Sequence, residues 1–419
     1  MTVPRRKLSA VTSDFVVGPR GRPALFVHFA GSAVMRLAPP LLQLALLVIV
    51  ARRGSFDDVG RLALASATSF LCGALAEAGF STTLSIPRVA FGVSEPPLRA
   101  TARLRIGAAL GGSAIYVALW GAGLGDHDPI FLIVTPLPFV LALAVGYAGV
   151  MNASGLLRLE GMISLGESLL VLSLALAGAL AMAAFPAVLI ALTVGRATGT
   201  VARALLVRRI PQSDAVPQHG VARVQRGFFL LTAAIVVQGQ VDMLAIGFAG
   251  TLAVAAVYGP LVRTSASALL GTESLTWGLY GAAHPEERGE AGWIDRHWRL
   301  LTLALSVASA AVFVVLAQPF LRFVLDRSLP DLDVAVALFG ITMVVRAGSL
   351  ILNVAIVRAG RQRDETPAVA LAAVALAGGA AIAARADSLT GLAGARLASE
   401  MIIATGFFLL SRGASVSAG

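Results

Sequence analysis

Residues 226–263 read RGFFLLTAAIVVQGQVDMLAIGFAGTLAVAAVYGPLVR. A first apolar run, 226–249, holds a single acid, Asp242. Gly247 to Gly250 marks a sharp turn. A second run then opens with Tyr258, Gly259 and Pro260 and carries Arg263 inside it. A helix rises about 1.5 Å per residue and needs roughly 20 apolar residues to cross a bilayer core. The stretch is therefore long enough for two crossings, and it carries charges that a passive anchor does not need.

The rest of the chain repeats this pattern. Of 419 residues, 57% are hydrophobic and only 13% charged, and the mean hydropathy is +0.83. A soluble domain carries about 25% charged residues, so too little polar surface exists here to coat a soluble body. Apolar runs fall at 23–51, 59–86, 103–123, 129–151, 158–182, 185–207, 226–249, 252–280, 298–318, 332–357, 366–385 and 389–411. Runs of this length are helices, not the short alternating strands of a membrane barrel. The expected fold is an all-α polytopic membrane protein of about 12 transmembrane helices. The division inside 158–207 is the least marked, and it is placed at Ala183–Pro186.

Charge orients the chain. The formal charge is +10, and all basic residues but Lys7 are Arg. With the amino terminus inside, cytoplasmic segments hold 22 basic residues and external ones 6. The positive-inside rule then puts both termini in the cytoplasm. Topology explains the basic excess, so no nucleic-acid partner is expected. The lone Cys72 excludes an intrachain disulfide and a cysteine metal cluster.

The expected organisation is a basic cytoplasmic tail (1–22), a six-span lobe (23–207), a cytoplasmic linker (208–225), a second six-span lobe (226–411) and a short tail (412–419). The lobes read as parallel repeats. Gly60 near the start of span 2 corresponds to Tyr258 and Gly259 near the start of span 8.

Charged residues inside spans are costly and face the bundle interior or a wet cavity. Asp242, with Gln238 one turn before it, reads as a proton carrier or cation ligand, or as a structural partner of an Arg. Glu77, Glu167 and Glu273 are further candidates for ion coupling or gating, and Glu160 shares a face with Glu167. Arg36, Arg263 and Arg346 are candidate substrate ligands. Pro39 and Pro40 are expected to kink span 1 beside Arg36, whose alternative is to snorkel to the cytoplasmic side. Asn353 shares a stripe with Arg346. Arg396 and Glu400, four residues apart, are expected to pair along one helix face as a structural unit. Arg196 reads as a packing or snorkelling residue. Several intramembrane guanidiniums with few acids suit an anionic, phosphate-bearing substrate.

No nucleotide loop, metal-ligand spacing or nucleophile motif is present. No enzyme activity, cofactor or metal is expected. Transport would draw on an H+ or Na+ gradient, the membrane potential or the substrate's own gradient.

Four stretches carry a family resemblance: VARRGSFDDVGRLALASATSFL, LAEAGFSTTLSIPRVA, QVDMLAIGFAGTLAVAAVYGPLVR and SLTGLAGARLASEMII. With twelve spans and a basic linker, the chain over 25–411 resembles the multidrug/oligosaccharidyl-lipid/polysaccharide exporter superfamily, nearest its polysaccharide and O-antigen flippase branch. Two departures are that Val59 precedes Gly60 where the family has an aromatic, and that the chain is short of the fourteen-span flippases. The resemblance implies a flippase that moves a polyprenyl-pyrophosphate-linked sugar across the bacterial cytoplasmic membrane by alternating access through a cationic cavity. Arg36 and Arg263 match positions where related flippases place lumen arginines, and Tyr258 belongs to the span 7 to span 8 motif. Membrane lipids and a polysaccharide polymerase or glycosyltransferase are the implied partners. The alternatives are an ion-coupled drug or anionic-metabolite antiporter of the same fold, a non-transporting envelope scaffold, and a membrane glycosyltransferase.

Overall fold

The computed structural model describes residues 39–77, 79–85, 96–154, 156–211, 221–281, 288–325, 331–358 and 362–416. Arg36, the tail 1–22 and residues 212–220 of the linker lie outside the described residues. The described chain is helical: α1 (39–53), α2 (Phe56–Glu77), α3 (Phe80–Ser85), α4 (Leu98–Gly121), α5 (Pro136–Ala153), α6 (Leu157–Ala181), α7 (Ala184–Val207), α8 (Val221–Ala249), α9 (Leu252–Gly281), α10 (Arg288–Leu325), α11 (Leu332–Arg358), α12 (Thr366–Arg385) and α13 (Leu389–Val416). Short 3-10 turns at Leu124–His127 and Pro129–Val134 lead into α5, and one at Gln362–Glu365 leads into α12.

Among the described residues, eleven helical stretches are long and apolar enough to cross a membrane. The described helix α1 lies in the first apolar run of the sequence. The chain is an all-α, multi-pass membrane protein. Helices satisfy their own backbone groups, which lipid cannot do. Their outer faces are correspondingly apolar: Leu180, Val374 and Ile382 are each at least 70% exposed. In water such a surface would aggregate; in lipid it is at home. The weakly marked division falls as expected. Met182 is fully extended, Ala183 opens α7, and Pro186 sits in the first turn, where its missing N–H is harmless. Pro39 and Pro40 are the first two described residues of α1 and are half-buried.

Between the two halves of the chain, packing runs through α2 and α3 against α8 and α9. Two glycines set this contact. A Cβ on Gly60 would lie 2.2 Å from the Leu252 carbonyl oxygen, and one on Gly259 would lie 2.4 Å from the Ala63 Cβ. Lipid offers no hydrophobic drive between helices, so close approach of small residues does the work. Arg52 at the end of α1 adds a link, donating to the Phe323 carbonyl of α10 at 2.6 Å with its guanidinium 4.3 Å from the Phe323 ring.

The apolar core is uneven along the bilayer normal. One large cluster joins both halves and includes Leu47, Val59, Phe185, Tyr258, Leu321 and Leu389. It gathers at the end that carries the turns 54–55, 182–183 and 250–251, the end that the arginine distribution places outside. At the opposite end the halves have separate clusters, Phe80, Leu84, Leu98 and Met151 in one and Ile356, Val369, Ile403 and Phe407 in the other. The apolar core thus joins the halves at one end, while at the other each half has its own cluster and the halves meet through α3 and α8.

Candidate functional site

The site builds from α8. One apolar helix face brings Asp242 into the interior, where it is 0% exposed. A carboxylate there needs strong donors. It has three: the Tyr258 hydroxyl and Arg396 Nη1 both donate to Oδ2 at 2.7 Å, and the Met243 N–H donates to Oδ1 at 2.8 Å. Arg396 also donates to the Gly239 carbonyl at 3.3 Å. Tyr258, from the start of α9, is itself fully buried, with its ring 5.7 Å from that of Phe339. Asp242 therefore joins α8, α9 and α13.

A second group continues the network. Arg346 on α11 donates to Glu273 Oε1 on α9 at 2.9 Å and lies 4.0 Å from Glu400 Oε1 on α13. Gln238 Nε2, one turn before Asp242, donates to Ser399 Oγ at 3.1 Å and to Glu400 Oε1 at 3.3 Å. A small cleft opens onto this group between Ser265, Phe339, Thr342, Arg346, Arg396 and Glu400. Arg263, also on α9, turns the other way. Its Nη2 donates to the Leu62 and Ala63 carbonyls of α2 at 3.4 and 3.3 Å, and no carboxylate among the described residues pairs with it.

Several expectations change here. Arg396 does not pair with Glu400: its partner is Asp242, and the guanidinium nearest Glu400 is that of Arg346. Asn353 does not join Arg346; its side chain donates to Glu365 Oε2 at 2.9 Å. The interior is not a field of unpaired cations either, because Arg346 and Arg396 each hold a carboxylate.

Glu77 and Glu167 lie outside this network. Glu77 accepts from the Gly79 N–H at 3.0 Å and from the Ser81 N–H, so it caps the break between α2 and α3. Gly79 takes a φ of +75° there, which only glycine adopts freely. Glu167 on α6 pairs with Arg196 and Arg203 of α7, and Arg203 grips Glu160 through Nε at 2.9 Å and Nη2 at 2.8 Å. Glu160, Glu167 and Arg203 are buried, Arg196 is half-buried, and all four are paired. Gly199 makes room for this second network, since a Cβ there would lie 2.0 Å from Glu167 Oε2.

Sequence reasoning missed three residues. Arg203 and Arg105 were counted as cytoplasmic charges, yet both are buried, Arg105 with its guanidinium 4.7 Å from the Tyr147 ring. A signal for Arg203 existed. Arg196 and Arg203 are seven residues apart, as are Glu160 and Glu167, so two facing helices present matched charges every two turns. The third is Glu365, 1% exposed in the turn before α12. Burial pushes its carboxyl up to about 7, opposed by the Asn353 bond. Among the described residues no cluster of His, Cys, Asp and Glu could hold a metal ion.

Comparison with known proteins identifies the fold. No protein-family model and no curated protein matches the chain. Solved structures do. An outward-facing multidrug resistance MATE family transporter of the MOP superfamily aligns with a TM-score of 0.64 at 15% identity, over 95% of this chain and 97% of that one. A MOP superfamily transporter from Pyrococcus furiosus, described as having a binding pocket of reverse polarity, aligns at 0.60 and 13%, over 94% and 97%. The lipid II flippase MurJ, inward closed, aligns at 0.58 and 13%, over 93% and 91%. The chain is a multi-pass membrane protein with the fold of the MOP-superfamily transporters.

Proposed function

We propose that this protein is an ion-coupled antiporter of the cytoplasmic membrane, exporting a drug or an anionic metabolite by alternating access. The observation that carries this reading is the interior network itself. Asp242, Glu273 and Glu400 face Arg346 and Arg396 beside a cleft, where a cation could change which pairs are made. An interior that already neutralises its guanidiniums has little excess charge to offer a pyrophosphate. The likeness to multidrug MATE transporters agrees with this. The uneven core supports alternating access, because a single joined end can open while separate inner clusters move as units. A non-transporting scaffold has no use for buried carboxylates beside a cleft.

A second reading, the lipid-linked oligosaccharide flippase, is favoured by one residue. Among the described residues Arg263 is held by backbone carbonyls of the other half and by no carboxylate, which leaves its charge for a phosphate. In that reading the substrate is a polyprenyl-(pyro)phosphate sugar, and a polymerase or glycosyltransferase is the partner.

Proteoliposomes test the two together. Vesicles loaded with fluorescent organic cations or anions are given an H+ or Na+ gradient, and parallel vesicles carry a fluorescent polyprenyl-pyrophosphate sugar. Gradient-driven dye movement supports the antiporter. Sugar flipping that Arg263→Ala abolishes, with no dye movement, supports the flippase.

A further inference from the structure

We propose that Arg105 is the anchoring donor of an anion site in the cytoplasmic half of the first lobe, one that takes the phosphate group of a lipid or of a soluble molecule. The proposal does not depend on which cargo the protein exports.

Three arginines are buried among the described residues: Arg105, Arg203 and Arg396. Arg203 holds Glu160 and Glu167, and Arg396 holds Asp242. Arg105 holds nothing comparable. It is 6% exposed, and its Nη2 is enclosed without an acceptor. None of its N–H groups makes a hydrogen bond among the described residues. A guanidinium carries five donors and a permanent charge, so burying it without acceptors is costly.

Local packing fixes this guanidinium without satisfying it. The Tyr147 ring of α5 lies 4.7 Å from it. Gly146 clears its place, since a Cβ there would lie 2.9 Å from Nη2. The carboxylate whose charge bears on Arg105 is Glu77. Glu77 is already occupied, accepting from the Gly79 and Ser81 N–H groups at the break between α2 and α3. Neither α3 nor α5 carries a charged residue. Glu160 and Glu167 are committed to Arg196 and Arg203. The fork of Arg105 is thus held in position with no uncommitted carboxylate beside it among the described residues.

The surroundings select a phosphate. Arg105 lies seven residues into α4, about 10 Å from the end of that helix that the arginine distribution places in the cytoplasm. That end of the first half is basic. Arg99 and Arg103 on α4 and Arg208 and Arg209 after α7 are exposed. They belong to one neighbourhood, because Val207 shares an apolar cluster with Leu98 and Tyr147. Exposed arginines gather anions, and a buried one gives an anion a place to stay. A phosphate accepts two parallel N–H bonds from a guanidinium fork. Tyr147 is half-buried, and its hydroxyl makes no hydrogen bond among the described residues, so it is a second donor for the same anion.

Ligand-dependent stability tests the site, because the thermal midpoint rises with any ligand that binds the folded chain. Purified, full-length protein at about 150 mM salt, where exposed charges are screened, is titrated with inorganic phosphate and, separately, with short-chain phosphatidylglycerol. Short-chain diacylglycerol is the phosphate-free control. The native midpoint should rise with at least one phosphate probe and not with the control. A rise with inorganic phosphate assigns a phosphate taken from solution, and a rise with phosphatidylglycerol alone assigns a lipid headgroup. Arg105→Gln should weaken the binding about tenfold or more, the loss expected of one charge-assisted pair. Gly146→Ala should weaken it as well, because the methyl displaces the flexible end of Arg105 and leaves the backbone untouched. Its midpoint without ligand should stay near the native one, so this variant decides the matter even if Arg105→Gln fails to fold. Arg263→Ala should bind as the native protein does, which separates this site from the flippase reading. No rise with either probe, native affinity in Arg105→Gln or in Gly146→Ala, or a loss in Arg263→Ala instead, overturns the proposal.

Discussion

Arg396 on the last helix and Asp242 on the helix that opens the second half lie 2.7 Å apart although 154 residues separate them in the chain. Among the described residues Arg396 has no comparable partner elsewhere, its other acceptor being a backbone carbonyl at 3.3 Å, whereas Asp242 also accepts from the Tyr258 hydroxyl at 2.7 Å. Removing one partner of such a buried pair typically costs about 3–5 kcal/mol, while replacing both by apolar groups can be close to neutral. Arg396→Met alone should therefore lower the thermal midpoint in detergent sharply. Arg396→Met combined with Asp242→Leu should recover much of the loss. Additive losses in that double-mutant cycle would show that the two side chains are not coupled.

The network of Glu160, Glu167, Arg196 and Arg203 predicts a stability effect without a coupling effect. Glu167→Gln leaves two guanidiniums short of a charge and should cost about 3 kcal/mol or more. Gly199→Val should be at least as damaging, because the side chain would overlap Glu167. Protein of either variant that survives purification should keep the wild-type dependence of dye movement on the ion gradient. A changed gradient dependence in folded Glu167→Gln would return this residue to the coupling machinery.

Glu365 predicts how stability changes with pH. Its carboxyl is lifted to about 7 in the fold from an ordinary value of 4.5. Between those values the folded chain binds a proton that the unfolded chain has lost. The contribution is fully present below about pH 4.5 and is lost as pH rises through about 7. The shift is worth on the order of 3 kcal/mol. Glu365→Gln should remove this fall and make the protein more heat-stable than the wild type at pH 8. Equal slopes of thermal midpoint against pH for the two proteins would contradict this.

The approach of Gly259 to Ala63 predicts a wedge. Any side chain at Gly259 would overlap the Ala63 Cβ, so Gly259→Leu should force α2 and α9 apart, weaken the joined end and lower the thermal midpoint in detergent. Gly60→Leu, against the Leu252 carbonyl, should act in the same direction. Unchanged thermal midpoints in both variants would show that this contact does not hold the two helices.

Most of the fold was legible because lipid imposes one structure on long apolar runs. The Ala183–Pro186 boundary was readable from a proline that only a first turn tolerates. Gly60 and Gly259 stood out as corresponding positions, but that they bring the two halves into contact was not legible from either stretch alone. Pairing across the site was not. Arg396 and Glu400 share a helix face, so one helix considered alone pairs them; the competing partner, Asp242, arrives from a distant part of the chain. Arg203 was hidden for a related reason. A basic residue near a span end resembles a topology signal until its carboxylate is found on the neighbouring helix. Arg263 kept its distinct character, because nothing acidic approaches it among the described residues.

The most direct test of the central claim compares gradient-driven efflux with exchange in the same proteoliposomes, using native protein and Glu400→Gln. Native protein should drive dye out under an imposed H+ gradient, stop when an ionophore collapses it, and exchange dye for dye without any gradient. Glu400→Gln, which removes one carboxylate from the cleft wall, should keep exchange and lose most of the gradient-driven flux. Efflux by Glu400→Gln that follows the gradient as the native protein does would contradict the account, as would a native protein that moves lipid-linked sugar and no dye.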